Sequence, residues 1–120
     1  MGIIHFDAHY DLYDKYDGHK WSYACTEARS LESVVSAEDL FFVGVRVAEV
    51  SELELIAQNS GIMAIKAKEV HKLGVEAVFQ KLKDKFKGYD AVYLIVDIDV
   101  LDPAFAPGIG TPQPGGLTSM

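Results

Sequence analysis

The 120-residue chain is 49% hydrophobic and 24% charged, the balance of an ordinary soluble domain, and is long enough to bury about two thirds of its unfolded surface. A formal charge of −7 argues against nucleic acid or an anionic membrane as partner. The lone cysteine, Cys25, excludes an intrachain disulfide and points to a reducing compartment, so a cytoplasmic location is expected, and no apolar stretch reaches membrane-spanning length.

Ile3 to Phe6 reads as a short buried strand opening into His5-Phe6-Asp7-Ala8-His9-Tyr10-Asp11. The polar run from Tyr10 to Lys20, with Gly18, reads as a departing loop. Trp21 to Val35 is expected to be a helix, because Ala24, Ala28, Leu31 and Val35 fall at steps of three and four. Asp39 to Arg46 is a continuous apolar run, the mark of a strand covered on both faces. Ser51 and Glu54 predict a capping box for a second helix, which Gly61 would close. Gly61 to Ile65 is the third expected strand. Val75, Val78, Phe79, Leu82 and Phe86 form a helical stripe, with Lys81, Lys83, Lys85 and Lys87 toward the end that favours cations. Tyr89 to Val96 is the fourth strand, and His71 reads as a surface residue. Strands alternating with helices imply an α/β fold: a doubly wound, mainly parallel sheet with helices on both faces.

Two clusters carry the chemistry. The first strand leads into Asp7, His9 and Asp11, and the fourth into Val96-Asp97-Ile98-Asp99-Val100-Leu101-Asp102-Pro103. In open parallel sheets ligands gather at the carboxyl ends of strands, where both clusters stand. Asp97 and Asp99 share strand parity and would project together at about 7 Å, a span that straddles two metals roughly 3.5–4 Å apart. Asp7, His9 and Asp11 would spread over about 13 Å on a straight strand, so they meet one metal pair only if the chain bends near His9. Carboxylates with a single imidazole favour Mn²⁺ or Mg²⁺, with Mn²⁺ tolerating the histidine best. All four prolines lie between Pro103 and Pro114, interleaved with Gly108, Gly110, Gly115 and Gly116, and are expected to form a stiff active-site wall.

The chain resembles the ureohydrolases, the arginase and agmatinase enzymes. The resemblance rests on Asp-Ala-His-x-Asp at Asp7 to Asp11 and on Asp97-Ile98-Asp99-x-x-Asp102-Pro103-x-x-Ala106-Pro107-Gly108-x-Gly110-Thr111-Pro112, followed by Gly115-Gly116-Leu117. Phe105 to Gly108 and Gly116 to Ser119 lean toward the agmatinase branch. The resemblance implies that residues 1–120 are the central part of a single arginase-like α/β domain, truncated at both ends. It also implies a centre of two Mn²⁺ in which Asp7 and Asp97 bridge, His9 and Asp99 complete one shell, and Asp11 binds the other metal. A hydroxide bridging the two Mn²⁺ would then attack the carbon of a small cationic guanidino substrate, yielding urea and an amine, with Asp11 holding the hydroxide.

The family's Gly-Gly-Asp-His and Val-Glu-x-x-Pro segments have no counterpart in residues 1–120, and its proton-shuttling histidine aligns with Tyr23. His19, four residues earlier, is the substitute candidate for that role, because a phenol titrating near 10 does not shuttle protons comparably at neutral pH. Tyr10, where the family has a small threonine, is expected to crowd the site. Two readings follow: a manganese-dependent amidinohydrolase forming a homo-oligomer, or a non-catalytic fragment or degenerate relative that keeps the fold core and assembles with another chain. A sheet truncated at both ends would leave edges and apolar faces uncovered, which predicts self-association.

Overall fold

The computed structural model describes residues 1–15, 17–33, 35–109 and 113–118. Four strands, β1 (Gly2–Phe6), β2 (Leu40–Val45), β3 (Met63–Lys66) and β4 (Val92–Val96), make one sheet in the order β3-β2-β1-β4, with every pairing parallel. Ile3 pairs with Leu40 on one side and Tyr93 on the other. The chain winds outward from β1 through β2 to β3 and then returns to place β4 beside β1. That reversal opens a crevice at the carboxyl ends of β1 and β4, the position where open α/β sheets bind ligands.

Among the described residues four α-helices connect the strands: α1 (Thr26–Ser33), α2 (Val50–Gln58), α3 (Ala67–Leu73) and α4 (Val75–Phe86). Every residue of β2 is buried, and from Leu40 to Val43 successive residues go to opposite cores, as the strand period requires, before the register shift at Gly44 sends Val45 to the Leu40 side. Leu40 and Phe42 join Ile3, Tyr10, Leu12, Val35 and Ile62, against which Leu31 of α1 and Leu55 and Ile56 of α2 pack. Phe41 and Val43 join Ile65 with Val78, Leu82 and Phe86 of α4 and Val70 of α3. Helices therefore cover both faces, as the sequence predicts. Cover is incomplete over β4, where Tyr93, Leu94 and Val96 are 59%, 58% and 63% exposed.

Local differences from expectation have identifiable causes. The helix expected from Trp21 starts later, as a 3-10 turn at Tyr23–Cys25 whose entry Ser22 caps by accepting from Ala24 N at 3.2 Å. Trp21 is left exposed in the preceding turn. The capping box of α2 is formed by Glu49 and Glu52 rather than by Ser51 and Glu54, because Glu49 already holds the extended cap conformation. Glu52 is buried there: one carboxylate oxygen accepts Glu49 N at 3.1 Å and the other accepts Leu12 N at 3.0 Å, tying α2 to the loop after β1. Helix α3 was not foreseen, since two turns give too few apolar repeats to register. Gly74, at φ 85°, separates it from α4 in a backbone conformation that suits glycine.

Candidate metal centre

The first cluster leaves β1 at Phe6 and must turn sharply to gather its ligands. It does so at Asp11, which sits at φ 53°, a left-handed conformation that aspartate tolerates better than most residues. The carbonyl of Asp11 accepts from Glu27 N at 3.0 Å, which fastens the bend to the start of α1. The bend needed near His9 is therefore present, two residues later. The same turn sends Tyr10 into the core, edge-on to Phe42 at 4.9 Å, so it does not crowd the cleft as expected.

The second cluster follows β4, whose ladder ends at Val96 with Asp97 N still bonded to Phe6 O at 2.8 Å. Ile98–Val100 then form a 3-10 turn, and Asp97 Oδ1 caps it by accepting Asp99 N at 3.0 Å. The turn carries Asp99 inward to meet the first cluster: Asp99 Oδ1 accepts Ala8 N at 3.1 Å and Oδ2 lies 2.9 Å from His9 Nδ1.

Asp7 is the hub. Its Oδ1 accepts His9 N at 2.8 Å and lies 3.3 Å from His9 Nδ1, while its Oδ2 lies 2.9 Å from His5 Nε2. Two groups of three ligands result, with ligand atoms inside 4.8 Å of one another in each: His5, Asp7 and Asp11, and Asp7, His9 and Asp99. Of the residues singled out in sequence, Asp7, His9, Asp11 and Asp99 come together. Asp97 stands beside them, exposed, on the wall of a cleft of about 560 Å³ that His9, Asp11, Asp99, Glu49 and Tyr23 also line. His19 is exposed and is not among the residues lining that cleft.

The electrostatics are those of a site short of positive charge. Burial, reinforced by the charge of Asp7, pushes the Asp11 carboxyl up to about 8. Burial and the Asp7 carboxylate raise Asp99 to about 6. Asp7 moves the other way: burial opposes its charge, but hydrogen bonds with His5 and His9 outweigh burial and hold it well below the usual carboxylate range. The Asp7 carboxylate also raises His9 against the opposing effect of burial. A divalent cation relieves the same crowding of carboxylates, and the donor set of oxygens with imidazole suits manganese.

Arg46, which follows β2, braces the second cluster. Its Nη2 donates to Asp99 O and Gln113 O at 2.8 Å and to Leu101 O at 3.2 Å, and Nη1 donates to Val100 O at 3.2 Å. Gly44, at φ 93° on a register shift of β2, allows the close approach: a Cβ there would lie 2.5 Å from Val100 Cγ2. The tail closes the wall, with Leu117 bridged to Leu101, Gly115 N and Gly116 N donating to Asp102 Oδ2, and His71 Nε2 2.9 Å from Gly116 O. Gly108, Ile109 and Gln113 line the cleft, as the proline-rich segment predicts, while Gly110 to Pro112 and Ser119 lie outside the described residues.

The family model for the arginase family matches residues 1–120. The chain belongs to the arginase family. It is 37% identical over 123 residues to a guanidinopropionase of Pseudomonas aeruginosa, an alignment that takes in 100% of this chain and 38% of that protein. It is 38% identical over 119 residues to an agmatinase of Halalkalibacterium halodurans, covering 99% of this chain and 38% of the relative. Among solved structures, an arginase from Bacillus caldovelox superposes with a TM-score of 0.88 at 31% identity, covering 98% of this chain and 44% of that one. The chain thus has the arginase fold and spans less than half the length of these relatives. Two residues at the centre escaped the sequence reading: His5 and Glu27. His5 shares strand parity with Asp7, and Glu27 falls four residues before Leu31 on the apolar face of α1, so each was a polar residue out of place on a buried face.

Proposed function

We propose that this arginase-family chain carries the binuclear centre of a manganese-dependent amidinohydrolase that converts a small guanidino compound, agmatine-like in size and charge, to urea and an amine. The observation that carries this reading is that Asp7 belongs to both ligand groups, the position of a carboxylate bridging two cations. Asp7, His9 and Asp99 hold one cation, and Asp7 and Asp11 hold the other. Asp97, on the cleft wall with its carboxylate on the Asp99 amide, would be a further carboxylate available to the metal pair.

Two bound Mn²⁺ supply Lewis acidity and lower the pKa of a water enough for it to attack carbon near neutral pH. The chain's own residues do the rest. Asp11, which lines the cleft, would accept a hydrogen bond from the attacking water and hold it in place. Glu49, exposed on the cleft wall, would attract a guanidinium or ammonium group. Gly108, Ile109 and Gln113 line the same cleft and would bound the substrate there.

The second reading is a non-catalytic chain that holds metal and assembles with another polypeptide. Two observations favour it: the exposed face of β4, and Tyr23, rather than a histidine, on the cleft wall. Titration of the metal-free chain with Mn²⁺, followed by urea release from agmatine, 3-guanidinopropionate and 4-guanidinobutyrate, separates the two. Two tight sites with urea formed from one of these compounds support the hydrolase. Two tight sites with no urea from any of them support the second reading, and no Mn²⁺ bound refutes both.

A further inference from the structure

Glu52 is a carboxylate only 3% exposed, and the reaction sketched above gives it no part. It stands in the first turn of α2, yet its side chain reaches out of the helix. Oε1 accepts Glu49 N at 3.1 Å, and Oε2 accepts Leu12 N, 40 residues away in sequence, at 3.0 Å. None of the ion pairs among the described residues includes it. Capping a helix does not call for this arrangement, since an exposed side chain satisfies first-turn amides without the cost of desolvating a charge. What burial adds is the bond to Leu12, which an exposed cap would not reach.

That bond matters because of the residue before it. Asp11 sits at φ 53°, in the left-handed region that is disfavoured outside glycine. The peptide group joining Asp11 to Leu12 is held at both of its polar atoms. Its carbonyl accepts Glu27 N at 3.0 Å and Ala28 N at 3.4 Å, at the start of α1, and its N–H donates to Glu52. Rotating this peptide toward a commoner backbone conformation would break all three bonds and strand the amide of Leu12, a residue only 2% exposed. We infer that Glu52 is a positioning residue: through the amide of Leu12 it locks the left-handed turn that aims the Asp11 carboxylate at Asp7 and the metal centre. The inference rests on the reading of Asp11 as a metal-binding carboxylate. The other oxygen of Glu52 holds the amide of Glu49, so one buried anion ties the metal side of the cleft to the wall that Glu49 forms. The competing role is a helix cap for α2 that serves stability alone.

A double-mutant cycle read by calorimetric titration with Mn²⁺ separates the two roles. Glu52→Gln puts an amide nitrogen where one accepting oxygen stood, so it cannot accept from both backbone N–H groups. In the parent chain it is expected to weaken one of two Mn²⁺ sites about tenfold, the size of the penalty for one non-glycine residue in the left-handed region, and to leave the other within about twofold. In the Asp11→Asn background the same substitution is expected to change the remaining site by less than about twofold, because the ligand it positions is gone. A helix cap alone would lower the melting temperature and move both sites together or neither, and either result overturns the inference. So does an equal loss with and without Asp11. Should Glu52→Gln fail to fold, the N–H of Leu12 is deleted instead. Joining a synthetic segment 1–24, carrying an ester in place of the Asp11–Leu12 amide, to residues 25–120 at Cys25 leaves every side chain intact. That chain is expected to show the same loss at one site, and two unweakened sites overturn the inference. A parent chain that binds no Mn²⁺ overturns the metal reading of Asp11 and this inference with it, whereas two sites indifferent to Glu52 overturn this inference alone.

Discussion

Replacing Arg46 by alanine removes a side chain that ties the Asp99 turn, the tail and the end of β2 together. Its guanidinium donates to the carbonyls of Asp99, Val100, Leu101 and Gln113, and the Asp99 and Gln113 bonds are the short ones at 2.8 Å. Hydrogen bonds to a charged group contribute about 1.5–3 kcal/mol each. Counting only the two short ones, at the low end because Arg46 is half-buried, gives a loss of about 3 kcal/mol. In a domain of this size each kcal/mol moves the melting temperature by about 4 °C, so Arg46→Ala should melt roughly 12 °C below the parent. Arg46→Lys should fall about midway, because an ammonium keeps the charge but not the planar fork that reaches several carbonyls at once. Thermal unfolding followed by circular dichroism reads the shift, and Mn²⁺ titration of the folded fraction should show weaker binding at the site that includes Asp99. An alanine variant melting within about 2 °C of the parent would refute the bracing role.

Asp7→Asn should abolish both Mn²⁺ sites while Asp99→Asn removes one, read as calorimetric stoichiometry; equal losses would contradict a shared Asp7. Without metal, stability should fall as pH rises from about 4 to about 10, and a urea midpoint at pH 9 equal to or above that at pH 6 would refute this. The sign follows because Asp11, raised to about 8, and Asp99, raised to about 6, hold protons in the folded chain that the unfolded chain has lost above 3.8. His5, raised to about 10 by Asp7 and Glu27 against the effect of burial, contributes stability that is complete below 6.5 and lost as pH passes 10. Leu94→Lys, on the exposed face of β4, should reduce any concentration-dependent association in size-exclusion chromatography with little change in melting temperature; unchanged elution of an associated species would exclude this face as the contact. Tyr23→His should raise urea release from agmatine several-fold if the cleft wall lacks a proton carrier, and no gain would show that the shuttle lies elsewhere.

What the sequence revealed and what it hid divide along physical lines. The four strands and their parallel sense were legible because burial on both faces leaves continuous apolar runs, as at Leu40 to Val45. The convergence of Asp7, His9, Asp11 and Asp99 was legible because a parallel sheet brings the residues that follow its strands to one edge. Helix caps were not: Ser51 and Glu49 offer comparable starts, and the choice was made by Glu52 reaching across to Leu12, a contact 40 residues apart in sequence. For Asp97 and Asp99 strand parity does not apply, because the ladder ends at Val96 and a 3-10 turn follows, which buries Asp99 and leaves Asp97 exposed on the wall of the same cleft. The direction of Tyr10 was misjudged for a related reason, since the left-handed turn at Asp11 decides which side chains face the cleft. His5 and Glu27 stood in plain view as polar residues on buried faces, but their pairing across β1 and α1 is a tertiary fact.

The crowding of carboxylates at the centre sets how metal and fold depend on each other. Asp7, Asp99 and Glu27 are buried and Asp11 nearly so, with His5 and His9 as the counter-charges among them. Folding without a cation therefore favours protons on some of these groups, and burial beside Asp7 raises Asp11 and Asp99 in that direction. A cation that binds only the folded chain displaces them, so Mn²⁺ uptake should release protons and raise stability together. At 100 times its dissociation constant, each bound ion adds about 2.7 kcal/mol. Two sites would then outweigh the estimated contribution of Arg46. The bend at Asp11, the shifted register at Gly44 and the brace at Arg46 thus serve one arrangement: they hold Asp7, Asp11 and Asp99 together as a set of close carboxylates.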